Sequence, residues 1–227
     1  FWKEEEVIGK KLPIVPEDKW AEHQELRRRV RSGERIEHLE VIRKKKDGTR
    51  FIGKLSAAPI TDENKKVSGI IAAMEDISGQ KSAEEALRMS EEKHRTLFET
   101  MAQGVVYQDA DGKIISANPS AERILGLSLD QMQGRKSVDP EWKAIREDGS
   151  LFPGEEHPAM RALKTRKRIS NTVMGVYNPA KKEHTWININ AIPLFRKSRK
   201  NPYRVNATFE DITDRKNAED DLQKSEK

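Results

Sequence analysis

The residue types that carry most enzyme chemistry are scarce or poorly grouped in this chain. Five histidines and no cysteine occur among the 227 residues, which removes disulfides, thiolate nucleophiles and cysteine-ligated metal sites. No two histidines have the spacing of metal ligands. The nucleotide, hydrolase and metalloprotease sequences GxGxxG, GxSxG and HExxH do not occur. Carboxylates occur in runs such as Glu155-Glu156, typical of solvated surfaces. The chain is therefore predicted to be non-catalytic and to hold no metal.

The charge balance argues against a nucleic-acid groove. Lys and Arg number 43, Asp and Glu 38, and the two signs are interleaved along most of the chain. The densest basic runs, 43–46, 166–168 and 196–200, adjoin turn sequences and are predicted to be solvated hairpin ends. No apolar run approaches the ~18 residues that span a bilayer. We expect a segment of a longer protein, because the sequence begins at Phe1 without Met. The segment itself is expected to be soluble and cytoplasmic, and any membrane anchor would lie elsewhere in the longer protein.

An internal repeat gives the organisation of the chain. Asp76-Ile77-Ser78 is followed by GQKSAEEALRMSEE, and Asp211-Ile212-Thr213 is followed by DRKNAEDDLQKSEK. Three predicted antiparallel strands precede each of these sequences. They are 37–43, 50–59 and 67–76 in the first copy, and 170–177, 184–194 and 203–211 in the second. The turn at Asp47-Gly48 supplies the positive φ of a tight hairpin.

The second copy has an opening half that the first copy lacks. Two short strands, 104–109 and 113–117, precede a helix that starts at Asn118, a natural N-cap followed by proline. A last helix is predicted over 158–165. The first copy lacks the two opening strands, so its strand 67–76 is expected to keep an unpaired edge that another segment or chain would cover.

A charged helix is predicted after each third strand. The first carries an apolar stripe at a period of about 3.5 residues, interrupted by Ser90 and His94. The stripe consists of Ala83, Leu87, Leu97 and Met101. It predicts either a two-stranded coiled coil in a homodimer or packing on its own domain. Asp76 and Asp211, where strand becomes helix, are expected to accept hydrogen bonds from the first turn, as simple caps or as parts of a switch.

These sequences together resemble PAS domains with their C-terminal PAC motif. DADGKIISANPSAERILGLS resembles the opening of that family, KKDGTRFIGKLSAAPI and VSGIIAAMEDIS resemble its last strands, and the charged linker resembles signalling helices beside histidine kinases and cyclases. The resemblance implies an α+β fold of two PAS-like repeats with antiparallel sheets, five-stranded when complete. The implied organisation is a partial repeat lacking its first two strands at 1–79, a helical linker at 80–102, a complete repeat at 103–213 and an outgoing helix from 214.

The resemblance also implies a pocket between the sheet and its flanking helices. Its candidate lining is Ile187, Ile189, Ala191, Val205, Ala207 and Phe209. Such a lining fits either a small neutral ligand or a filled core. The cofactor stays open: the absence of cysteine excludes flavin-cysteine photochemistry, and Phe209 stands where flavin-binding relatives carry glutamine. Haem is not expected, because the nearest candidate ligand, His157, is predicted to be a surface histidine.

The functional expectation is a sensory input module. It would sense a small ligand or a partner and relay the signal to a covalently linked output domain, such as a histidine kinase or diguanylate cyclase. The candidate relay residues are Asp76, Ile77, Ser78, Asp211, Ile212 and Thr213. Two alternatives stay open: a constitutive dimerisation module without ligand, and a small enzyme that uses the pocket.

Overall fold

Two separate antiparallel sheets organise the chain, one in each of its two units, Phe1–Glu91 and Glu92–Lys227. The computed structural model describes residues 2–136, 139–197 and 199–225. Helices flank both sheets, so the predicted α+β class is confirmed. Among the described residues, none of the helices has the length and apolar character that a membrane crossing requires.

The first unit has a three-stranded sheet in the order β1-β2-β3. Its elements are α1 (Glu4–Val7), α2 (Trp20–Arg31), β1 (Ile36–Lys44), β2 (Arg50–Thr61) and β3 (Val67–Asp76). Leu26 and Val30 on α2 pack with Val41 and Leu55 on the sheet to form its core. Gly48 has φ +88, as the predicted tight turn between β1 and β2 requires.

The predicted open edge of the first sheet is confirmed for the described residues. There, β3 pairs with β2 along its length, and β2 is its one strand neighbour. The prediction that the basic run at 43–46 is a solvated hairpin end is wrong for Arg43. Arg43 is only 1% exposed, because it lies on the same inward face of β1 as Val41, two residues before it. The run at 166–168 is exposed as predicted, and so are the described members of 196–200, of which Ser198 lies outside the described residues.

The second unit has a five-stranded sheet in the order β5-β4-β8-β7-β6. A helix, α3 (Ser78–Thr100), contains the boundary between the units. The strands are β4 (Gly104–Asp109), β5 (Ile114–Ala117), β6 (Ile169–Asn178), β7 (Glu183–Leu194) and β8 (Arg204–Asp211). The helices are α4 (Pro119–Leu125), α5 (Leu129–Met132), α6 (Pro158–Thr165) and α7 (Thr213–Ser225). The first strand of the repeat pairs with the last in the middle of the sheet, as the resemblance implies. Residues 226 and 227 of the predicted outgoing helix lie outside the described residues.

Two buried asparagines fix the ends of α4. Asn118 is the predicted N-cap: its Oδ1 accepts from the backbone N–H of Ala121 at 2.9 Å and of Val105 at 2.8 Å. At the other end, Gly126 adopts φ +68 and ends the helix in the left-handed conformation. Asn178, at the end of β6, donates from Nδ2 to the carbonyl of Ile124 at 3.0 Å. These bonds set α4 against the sheet and so position one side of the site.

Candidate functional site

A cavity of about 70 Å³ lies between the sheet of the second unit and the segments that cover it. Its walls are mostly apolar and come from β4, β6, β7 and β8 on one side and from Leu125, Trp142 and Ala159 on the other. The predicted period of two along β7 is confirmed, since Ile187, Ile189 and Ala191 are buried and alternate with more exposed residues.

Four of the six predicted pocket residues line this cavity. They are Ile187, Ile189, Ala207 and Phe209. The other two, Ala191 and Val205, point to the same face of the sheet but pack against Ala159 and Ala162 of α6 in a separate small cluster. The prediction that they line the pocket is therefore wrong, because α6 covers the sheet closely at that end.

His157 also lines the cavity, which corrects its prediction as a surface residue. It is buried, and its Nε2 lies 3.0 Å from the carbonyl oxygen of Phe152, to which it donates as the Nε2–H tautomer. The rings of His157 and Phe152 meet edge to face with centroids 5.2 Å apart. Gln108 of β4 adds a second buried polar side chain to the wall. The cavity is thus apolar with polar groups at His157 and Gln108.

A short hairpin, residues 144–152, closes the outer edge of the sheet beside the cavity. Ile145 exchanges two backbone hydrogen bonds of 2.9 Å with Gly175 of β6. The N–H of Phe152 donates to the carbonyl of Ala144 at 2.8 Å and closes the hairpin. A side chain at position 175 would not fit, because a Cβ there would lie 2.7 Å from Cγ1 of Ile145. The hairpin therefore carries Phe152, and with it the bond to His157, on the edge of the sheet.

The same hairpin contacts the outgoing helix. Lys216 on the first turns of α7 forms an ion pair with Glu147 at the hairpin, with Nζ 2.8 Å from Oε1. Its ammonium also lies 5.8 Å from the centre of the Trp186 ring on β7. Contacts therefore run from the cavity wall through Phe152 and the hairpin to α7.

The predicted relay residues form the same hydrogen-bonded turn in both units. Asp211 Oδ1 accepts from the N–H of Thr213 at 2.9 Å, and Thr213 Oγ1 accepts from the N–H of Trp186 at 3.0 Å. Ile212 is buried and donates from its N–H to the carbonyl of Trp186. Each turn therefore attaches the start of a helix to the neighbouring strand.

The equivalent turn in the first unit has a closer ion pair than the second, in which Lys181 Nζ lies 3.9 Å from Asp211 Oδ2. Asp76 Oδ1 accepts from the N–H of Ser78 at 3.0 Å, Ser78 Oγ accepts from the N–H of Ile52 at 2.9 Å, and Ile77 is buried. Lys45 Nζ lies 2.9 Å from Asp76 Oδ2. The hydrogen bond and charge of Lys45, with the bonds from Ser78, lower the pKa of Asp76 to about 2. The hydrogen bonds predicted for Asp76 and Asp211 are thus present.

The predicted stripe on α3 is exposed. Leu87 is 61% and Leu97 53% exposed, and Ala83 is exposed as well, as is Met101, which follows the last residue of α3. The neighbouring Phe98, which the stripe omitted, is less exposed and lies 6.1 Å from the Tyr107 ring. Its carbonyl accepts from Asn118 Nδ2 at 3.1 Å. Across the described ranges, no three histidine, aspartate or glutamate side chains are grouped as metal ligands.

Family models match both units of the chain. A model described as PAS fold matches residues 98–217, which is more than half of the chain, and one described as PAS domain matches residues 3–79. Sporulation kinase E of Bacillus subtilis (strain 168) is 35% identical over 74 residues, which cover 32% of this chain and 10% of that protein. The chain thus spans about a tenth of the length of this curated relative.

Solved PAS domains are similar in fold to this chain. The PAS domain of an HTR-like protein from Haloarcula marismortui is 18% identical, with a TM-score of 0.45, over 58% of this chain and 99% of that one. The PAS domain of a protein from Colwellia psychrerythraea is 17% identical, with a TM-score of 0.43, over 54% of this chain and 97% of that one. On the family matches and the arrangement of both sheets, this chain belongs to the PAS family and carries two PAS domains in tandem.

Proposed function

We propose that this chain is a non-catalytic sensory input module whose second PAS domain binds a small neutral molecule and relays its presence to α7. The observation that carries the proposal is the run of contacts from the cavity through Phe152 and the 144–152 hairpin to Lys216. Membership of the PAS family and the kinase relative support a sensory signalling role.

The lining of the cavity limits the chemistry of the ligand. A volume of about 70 Å³ exceeds the space of one water molecule but is well below the ~150 Å³ cavity that holds benzene. Walls of isoleucine, valine and phenylalanine favour an apolar body, and none of the wall residues is acidic, lysine or arginine. Gln108 and His157 favour a polar group on the ligand. We therefore propose a molecule of a few heavy atoms, uncharged, with a hydrogen-bonding group at one end.

Two connections would carry the signal from the cavity to α7. The first is β8 itself, which holds Ala207 and Phe209 on the cavity wall and ends at the turn of Asp211 and Thr213. The second is the ion pair of Lys216 with the hairpin. A ligand that binds one arrangement of these contacts better than another would shift the position or the stability of α7. The output would be a covalently linked domain, such as a histidine kinase or diguanylate cyclase.

A second candidate function is dimerisation through α3. Three large apolar side chains on this helix, Leu87, Met89 and Leu97, are each more than half exposed. Covering them would remove apolar surface from water, and the stripe with a period near 3.5 has the pattern of a two-stranded coiled coil. A homodimer is compatible with sensing, and it would also serve a module that binds no ligand.

The ligand proposal is tested by filling the cavity. In Ala207→Val, two added carbons occupy part of the cavity and imitate a bound molecule. Hydrogen exchange of the backbone amides of α7 is expected to change by about threefold or more relative to the wild type. Ala180→Val is the matched control, because Ala180 is exposed in the turn between β6 and β7 and has no part in the cavity wall.

Native mass spectrometry of the freshly purified protein adds a direct measurement. A retained neutral molecule appears as an added mass on the wild type, and Ala207→Val is expected to reduce it. An unchanged exchange of α7 in Ala207→Val, with shifted methyl resonances at the cavity, would contradict the relay. An added mass that Ala207→Val does not reduce would contradict binding in this cavity.

A further inference from the structure

The first unit contains its own cavity, separate from the site described above. It measures about 100 Å³ and lies between α2 and the sheet. Leu26, Val30, Leu55 and Ala57 provide apolar walls. A cavity of roughly 150 Å³ holds benzene, so this one has room for a short aliphatic chain. Arg43 of β1 is one of its wall residues.

Arg43 is a buried cation whose hydrogen bonds are incomplete. Its Nη1 donates to the carbonyl of Ile42 at 2.7 Å and to Oε1 of Glu22 at 3.1 Å. Within the described part of the chain, its Nη2 is buried and has no hydrogen-bond partner. A guanidinium stays charged in proteins, and a buried donor without a partner is destabilising. The carboxylate of Glu22 is 38% exposed and therefore partly solvated, and it pairs with only one side of the guanidinium.

The approach to this cavity is positively charged. A groove beside it shares Leu12, His23, Arg27, Ile70 and Ala72 with the cavity wall. The groove is also lined by the basic side chains Lys10, Lys11 and Arg31. Clustered charge of one sign raises the local concentration of ligands of the opposite sign. An anion is therefore favoured both at the entrance and at the unpaired nitrogen of Arg43.

We propose that the cavity of the first unit binds a short aliphatic carboxylate. A carboxylate oxygen accepts from Nη2 of Arg43, in a charge-assisted hydrogen bond that is stronger than one between neutral groups. The hydrocarbon chain lies against Leu26, Val30 and Leu55. The apolar walls select a carboxylate with a chain over a small, strongly hydrated inorganic anion. This site is independent of the cavity in the second unit, and its failure leaves the proposal for that cavity untouched.

The test compares butanoate with butanamide, which has nearly the same shape and no charge. Both are titrated into the full chain while the methyl resonances of Leu26, Val30 and Leu55 are recorded by NMR. Butanoate is expected to give saturable shifts, and butanamide to bind about tenfold more weakly or worse. The absence of saturable shifts with butanoate, or equal affinities for the two compounds, overturns the proposal.

Three variants test whether the preference depends on Arg43. Arg43→Met keeps an unbranched side chain and is expected to abolish the preference for butanoate. Arg28→Met, the same change on the exposed face of α2, is expected to keep it. Glu22→Gln removes the competing carboxylate and is expected to tighten butanoate binding by about threefold. A preference that survives Arg43→Met refutes the assignment. If Arg43→Met does not fold, the affinity of Glu22→Gln for butanoate tests the assignment instead. An unchanged or weaker affinity in that variant refutes the role of Arg43.

Discussion

Single buried polar side chains hold whole segments of the second unit in place. Asn118 joins three segments, since its amide accepts from Val105 and donates to the carbonyls of Phe98 and Gln103. Asn178 does the same at the other end of α4, where Oδ1 also accepts from the N–H of Lys181 in the following turn. Each amide satisfies backbone groups that would otherwise be buried without partners. Loss of either one leaves several unpaired groups.

The contact between Gly126 and Asn178 gives a prediction for stability. A Cβ at position 126 would lie 2.0 Å from Asn178 Oδ1, and the residue has φ +68. Gly126→Ala is therefore expected to lower the free energy of unfolding of the second unit by about 2 kcal/mol or more. Gly134→Ala is the control: it has φ +81 but no atom within 4 Å of an added Cβ, so only the backbone term of about 1 kcal/mol applies. Urea denaturation measures both, and equal losses would contradict the steric argument.

The pKa of Asp76 gives a prediction for pH dependence. Lys45, together with the hydrogen bonds from Ser78, lowers this pKa from 3.8 to about 2. A lowered pKa in the folded state stabilises the fold above the unfolded value, and this stabilisation disappears as the pH falls from about 4 towards 2. In Lys45→Met, NMR titration of the carboxyl carbon is expected to show a higher pKa for Asp76. Lys46→Met removes the next lysine, which pairs with Glu6 instead, and should leave the pKa of Asp76 unchanged. An unaltered pKa in Lys45→Met would refute the role of this ion pair.

At the residue scale, the alternation of side chains along a strand predicted burial better than residue type did. The period of two along β7 placed Ile187 and Ile189 inward. The same period along β4 places Gln108 on the buried face with Val106. His157 and Arg43 were assigned to the surface because histidines and arginines are usually exposed. Arg43 pairs with Glu22, which is 21 residues away in the sequence. His157 pairs with the carbonyl of Phe152, whose position is set by the folded loop. Pairwise packing of this kind leaves no periodic signal.

At the scale of elements, strands and helices with clear periods were predicted closely. Strands 67–76 and 104–109 and helix 158–165 have the predicted limits, and the remaining strands differ by one or two residues at one or both ends. The 144–152 hairpin was not predicted, although Asp148-Gly149 marks its turn. Two backbone bonds join it to β6, and the carbonyl of Phe152 accepts from His157. Because the pairing is so short, whether it forms depends on the surrounding tertiary structure and not on the local sequence.

The exposed leucines of α3 give a prediction for association. If the stripe forms a two-stranded coiled coil, Leu87→Glu places like charges in its seam and is expected to weaken the dimer by about tenfold or more. Met89→Glu makes the same kind of change at an exposed residue outside the stripe and should leave the dimer intact. Sedimentation equilibrium measures the dissociation constants. A wild type that stays monomeric at high concentration, or equal effects of the two variants, would contradict the coiled coil.

At the scale of the whole molecule, the two PAS domains share one architecture, but the sheet of the first has three strands and that of the second has five. Each has a cavity beside its core, and each sheet ends in the turn formed by Asp76 and Ser78 or by Asp211 and Thr213. Repetition in the sequence predicted these shared turns, because the same residues recur in the same order. It did not predict the different chemistry of the cavities, since Arg43 lines the first, and Gln108, on a strand that the first copy lacks, lines the second.

The strand order of the second sheet also fixes the order in which its parts can assemble during synthesis. In the first unit, β1, β2 and β3 pair with their neighbours along the chain, so hairpins form as soon as each strand is made. In the second unit, Gly104 pairs with Phe209, and β8 joins β4 to β7. Until the ribosome has released Arg204 and the residues after it, β4 with β5 and β6 with β7 are two separate hairpins. Each then presents a long unpaired edge, and this interval is when the nascent chain most needs protection from pairing with other chains.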